Sequence, residues 1–199
     1  MTTQDTQTDV GTLAQLYDLL AGALSDPPDE RTVETLAEGP LPDPGIAPNE
    51  QLQAGLETLE AWSESVTDPG EEAERLTAEF TRLFVGPRPK LQIHESYYED
   101  DYLGEPLAAV TETYETLGIA PAPDLKEEAD HAAVELAALR ELTVENEAGK
   151  QRFLERHGDW FADLGADISA ATDEAYFTAI ADMVSGLVAF DAGRQGVRQ

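Results

Sequence analysis

Leu13, Leu16, Leu20 and Leu24, with Tyr17 and Ala21, recur every three or four residues, the spacing of one buried helix face. The same period returns in later segments, and no stretch alternates apolar and polar residues as a strand would. The chain is therefore expected to be all-α. Helix breakers divide it. Ser25-Asp26-Pro27-Pro28 ends the first helix, and Asp26 is placed to cap a short second one running to about Ala37. Gly39 to Pro48 reads as a connector. Asn49 is an expected N-cap for a helix carrying Leu52, Leu56, Leu59 and Trp62 or Ser63, and Thr67-Asp68-Pro69-Gly70 restarts the chain.

Ala73, Leu76, Phe80, Leu83 and Phe84 keep the period until Val85-Gly86-Pro87 stops it. A loop without helical period follows. Leu107, Val110, Tyr114 and Leu117 then mark a fifth main helix, with Pro106 in its first turn and Gly118 at its C-terminal cap. Ile119 to Asp124 is a Pro-Ala linker. From Leu125 a long helix rich in small residues runs toward Val144, its Ala129, Ala132 and Ala133 suited to close helix contact. Another is expected over Ala148–Phe161, bent near Gly158, with Leu164 and Ile168 carrying the pattern on. The last, from Tyr176 to Phe190, is apolar over much of its circumference and so belongs at the centre. Together these predict one domain over residues 1–199, a helical bundle of about eight to ten helices with loose tails at 1–9 and 192–199.

Charge narrows the partners. Forty-one acidic residues face 12 basic ones, a net charge of −29. Phosphate-rich nucleic acid and anionic membranes would be repelled. The acids are spread along the whole chain, which suits a halophilic cytoplasm where molar salt screens charge beyond roughly 3 Å. With no cysteine, disulfides, thiolate metal sites and a Cys nucleophile are excluded. The start, MTTQDTQTDV, has neither the basic nor the apolar region of a secretory signal. No run approaches the ~18 consecutive apolar residues of a membrane span. A cytoplasmic location is expected.

Catalytic chemistry has little support. Of the three histidines, His94, His131 and His157, only His131 forms a Glu-x-x-His pair, with Glu128, whereas a di-iron bundle needs two such pairs. Asp130 could cap a helix, and Asp130 and His131 could instead contact a ligand; a catalytic role is the third alternative. No G-x-S-x-G, G-x-x-x-x-G-K-[ST] or G-x-G-x-x-G occurs. Tyr97, Tyr98 and Tyr102 lie among Glu95, Glu99, Asp100 and Asp101. This is either a solvated turn whose tyrosines pack on the core or the wall of a groove for a basic, partly apolar peptide.

Two blocks sharpen the choice: Glu79-Phe80-x-x-Leu83-Phe84-x-Gly86-Pro87 followed by Glu95-Ser96-x-Tyr98, and Asp130-His131-x-x-x-Glu135-Leu136. They resemble the hallmarks of the TorD/DmsD/NarJ family of redox-enzyme maturation chaperones, over about Leu13 to Phe190. The resemblance implies a helical chaperone, not an enzyme. Such a chaperone binds the twin-arginine signal peptide of a molybdoenzyme catalytic subunit and holds the apo-enzyme until its cofactor is inserted. By matching positions, Phe80, Leu83 and Phe84 would form an apolar floor, Glu79, Ser96 and Tyr98 would shape the loop beside it, and Asp130 and His131 would be polar contacts. No catalytic residue, metal or resident cofactor is implied; molybdopterin guanine dinucleotide would be met only through the client. A monomer or a domain-swapped dimer is expected. The alternatives are a nitrate-reductase-type assembly factor whose client lacks a leader, and a carboxylate-metal or nucleotide hydrolase.

Overall fold

The computed structural model describes residues 10–99, 104–120 and 126–193. Residues 1–9 and 194–199, Asp100, Asp101, Tyr102, most of the Pro-Ala linker and Leu125 lie outside them; of the tail expected at 192–199, Ala192 and Gly193 are instead in the last turn of the final helix. Among the described residues the chain is all-α: α1 (Val10–Ser25), α2 (Glu30–Glu38), α3 (Glu50–Ser65), α4 (Pro69–Phe80), α5 (Glu95–Tyr98), α6 (Glu105–Leu117), α7 (Ala132–Glu145), α8 (Glu147–His157), α9 (Trp160–Ala171) and α10 (Ala175–Gly193).

The helix ends follow local side-chain chemistry. Asn49 Oδ1 accepts from Leu52 N at 2.8 Å, and Asp68 Oδ1 accepts from the Gly70 and Glu71 amides at 2.9 and 3.0 Å. Each satisfies orphan donors of a first turn. Gly118 closes α6 at φ 74, a left-handed conformation that a Cβ would penalise. The cap of α2 is Asp29, which accepts from Thr32 N at 2.8 Å, rather than the expected Asp26. Two prolines follow Asp26, and the chain turns helical only beyond them. Beyond α4, Thr81–Val85 forms one π-helical turn, which ends at Gly86.

Core formation centres on α10, which packs mainly against α3 and α9, while α1 packs along α7. By length and composition α10 could cross a membrane, but 67% of its apolar window is buried inside the fold, as befits a core helix. Contact between α3 and α10 is backbone-close because each helix turns a glycine toward the other's backbone. A Cβ on Gly55 would stand 2.9 Å from Ala179 O, and one on Gly186 would stand 2.5 Å from Leu52 N. Asn49 Nδ2 also donates to Gly186 O at 2.8 Å, so the cap of α3 is docked on α10. The expected single helix over Ala148–Phe161 is two helices, α8 and α9, separated at Gly158.

A buried polar centre ties three helices together. Lys150 of α8 is fully buried, with Nζ 3.0 Å from Asp191 Oδ2 and 3.1 Å from Glu147 Oε2. Tyr17 of α1 donates to the same Asp191 oxygen at 2.8 Å.

Candidate functional site

The two motif blocks meet in space. Ala132 N donates to Ile93 O and Glu95 N to Asp130 O, both at 2.9 Å, making an antiparallel bridge between His94 and His131. Asp130 Oδ2 accepts from Ser96 N at 3.2 Å. Asp130 thus serves the turn of α5, and the expected cap of α7 falls instead to His131, whose Nδ1 accepts from Ala133 N at 3.2 Å. This pairing also explains why the long helix starts at Ala132 rather than near Leu125. His131 is extended at φ −75, ψ 136 to make the bridge.

Behind the bridge lies a cluster that motif matching had not singled out. Glu95 accepts from His157 Nδ1 at 2.9 Å, and His157 Nε2 lies 2.9 Å from Thr113 Oγ1. Glu135, fully buried, accepts from Trp160 Nε1 at 3.1 Å. Burial first, then the neighbouring Glu95, holds the Glu135 carboxyl well above its usual range. Glu95 and Glu135 were present in the motif, which was the available signal; His157 had none.

The other expected site residues are placed as follows. Phe80, Leu83 and Phe84 are buried, Phe80 and Phe84 packing their rings on each other and on Phe177 of α10. Glu79 pairs with Arg82 through two hydrogen bonds and accepts from Thr172. Ser96 is buried beside Asp130. Tyr98 lies on Trp160 with ring centroids 5.4 Å apart and donates to Asp167 at 3.1 Å. Burial first, then Asp167, raises its phenol, which stays a donor.

The open space lies elsewhere. Between α1, α6 and α7 is a cavity of about 940 Å³. Its floor is apolar and small: Ala21, Gly22, Ala129, Ala133, Val134, Ala137 and Ala138, with Ile119 at one side. Asp18, Glu115, Glu127 and Glu141 are among the lining residues, and none of the described lining residues is basic. Tyr114 joins groove to motif: it lines the cavity and donates to Ala129 O at 3.1 Å, next to Asp130. The alanines of α7 were read as contact residues, and here they also give the groove its width. Among the described residues no cluster of three His, Cys, Asp or Glu could hold a metal ion.

The profile of one family, described as Nitrate reductase delta subunit, matches residues 49–174, well over half of the chain, and spans both motif blocks. The chain belongs to this family. It is thereby placed among the TorD/DmsD/NarJ-type chaperones, whose general role is molybdoenzyme assembly. No curated protein matches the chain. In this delta-subunit fold the two hallmark blocks are one structure, a zipped pair of segments forming a wall beside the α1–α6–α7 groove.

His131 makes that zipper sensitive to pH. Burial first, then His94, pulls its imidazole down to about 4 against the opposing effect of Asp130 and Asp26. The unfolded chain takes up this proton near pH 6.5 and the folded chain only near 4, so its contribution to stability declines as pH falls through that window. Asn keeps an acceptor for Ala133 N and does not titrate. Urea denaturation is expected to show wild type losing about 3 kcal/mol relative to His131→Asn between pH 7.5 and 4.

Proposed function

We propose that this delta-subunit family chaperone binds a basic, partly apolar leader segment of a molybdoenzyme catalytic subunit in the α1–α6–α7 groove. It then holds the apo-enzyme until cofactor insertion. One observation carries the reading: a cavity of about 940 Å³ combines an apolar floor with carboxylates, and none of its described lining residues is basic. A twin-arginine signal peptide has the complementary chemistry, two guanidiniums followed by an apolar stretch. Carboxylates pair with arginine through paired hydrogen bonds, more strongly where water is partly excluded.

In this reading Asp130 and His131 set the groove's end through Ala129 and Tyr114. Glu79, Phe80, Leu83, Phe84, Ser96 and Tyr98 hold the zipped wall in place. Binding is the whole mechanism, with no covalent step and no resident cofactor; molybdopterin guanine dinucleotide stays with the client. The chain works in a salt-rich cytoplasm, as a monomer or a domain-swapped dimer.

Calorimetry in molar KCl with a twin-arginine leader peptide and a twin-lysine control tests this. Molar salt removes the general attraction of 29 net negative charges for any cation. Saturable binding that prefers arginine is the expected result. Equal binding of the two peptides, or none, contradicts it.

A second reading is favoured by the family description itself: the client is a nitrate-reductase-type subunit whose N-terminal segment is not an export leader. The groove would then take a basic amphipathic segment without adjacent arginines, and the twin-arginine preference would be absent.

A further inference from the structure

From Phe80 to His94 the chain runs 15 residues without an acidic side chain, the longest such stretch in the sequence. Arg82, Arg88 and Lys90 fall within it. The structure gathers these three cations around one surface concavity of about 650 Å³, with Thr81, Gly86 and Pro87 between them. Arg82 is held by Glu79 and by Ala171 O at 2.8 Å. Arg88 and Lys90 are exposed, and among the described residues no carboxylate lies within ion-pair distance of either. Val85 beside them is 65% exposed.

The backbone here is a stiff platform. Gly86 N donates to Thr81 O at 2.8 Å, Lys90 N to Arg82 O at 3.4 Å and Leu91 N to Leu83 O at 3.0 Å. Pro87 and Pro89 have no amide proton. The loop's amides are thus largely spent, and it offers no nest of free N–H groups of the kind that cradles phosphate. An anion must be met by side chains alone. Guanidinium and ammonium groups displayed on a rigid loop beside an apolar residue suit surface carboxylates of another protein, and little ordering is needed on contact.

We propose that this concavity docks an acidic surface of a partner protein. The remaining surface, dominated by carboxylates, repels such a partner, so Arg88 and Lys90, with Arg82 already paired to Glu79, fix where it lands. The site shares no lining residue with the α1–α6–α7 groove and does not depend on it.

The test is a titration of the ¹⁵N-labelled full chain with a synthetic peptide alternating glutamate and leucine, and separately with pyrophosphate. The peptide is expected to shift the amides between Val85 and Leu91 saturably. Its affinity should weaken roughly tenfold in Arg88→Ala/Lys90→Ala. Both side chains are exposed, so this variant should melt with wild type, and it should still bind a leader peptide that wild type binds. Pyrophosphate should leave the same amides unmoved. Peptide binding that spares these amides, persists in the double variant or is absent overturns the proposal. So does saturable pyrophosphate binding at these amides, which would make this a small-anion site.

Discussion

Asp191→Ala is expected to destabilise the fold by about 3–5 kcal/mol, because it strands a buried ammonium. Lys150 has no exposed side-chain surface, and Asp191 is the fully buried partner 3.0 Å from its Nζ. Glu147 remains at 3.1 Å but is 37% exposed, so water screens what it can return. Tyr17 loses its hydrogen bond to Asp191 in the same step. The three groups lie on α1, α8 and α10, so the loss loosens the junction of three helices rather than one contact. For a domain of this size the fall in melting temperature should be roughly 6–20 °C. Replacing the pair together, Lys150→Met with Asp191→Leu, removes both desolvation costs and should recover most of the stability. A double variant no more stable than Asp191→Ala would mean that the apolar surroundings, not the charge, set the cost.

Gly186→Ala should cost about 2–4 kcal/mol, through overpacking and a loosened helix cap. The new methyl would stand 2.5 Å from Leu52 N and 2.8 Å from Leu52 Cα, both backbone atoms. No rotamer relieves that clash, so α3 must move away from α10. The movement pulls Asn49 from Gly186 O, and Asn49 is the residue that caps α3. Gly22→Ala is the control. Nothing lies within 4 Å of a Cβ there, and α1 should gain about 0.5–1 kcal/mol from the lost flexibility of the unfolded chain. Chemical denaturation of both variants checks the pair; equal and small effects would mean that α3 and α10 are not in backbone contact.

Much of the fold was legible because its signals are local. Asn49, Asp68, Pro106 and Gly118 mark helix ends through their own hydrogen bonds or φ preference, and all four sit where those preferences place them. The apolar circumference of α10 announced a central helix. Non-local pairing was not legible. Ala129, Ala132 and Ala133 keep a helical period across Asp130 and His131, yet Asp130 sits in a turn and His131 is extended, both fixed by the backbone pairing with Ile93 and Glu95. Charge burial was equally hidden: Lys150, Glu95 and Glu135 look like surface residues until their partners arrive from distant helices. Around the candidate site, the motif residues are brought together by the fold, but no sequence signal marked the groove beside them. The groove depends on how far apart α1, α6 and α7 stand, and that distance is set by small side chains rather than by any chemical signature.

That distance is what the functional account rests on, and Ala137→Trp tests it most directly. Ala137 lines the groove from an exposed position on α7, so an indole there fills the cavity without entering the core. Calorimetry of wild type and Ala137→Trp with the same leader peptide in molar KCl should show saturable binding by wild type. The variant should show none, with its melting temperature unchanged. Binding of equal affinity by both proteins would contradict the assignment of the α1–α6–α7 groove as the client-binding site.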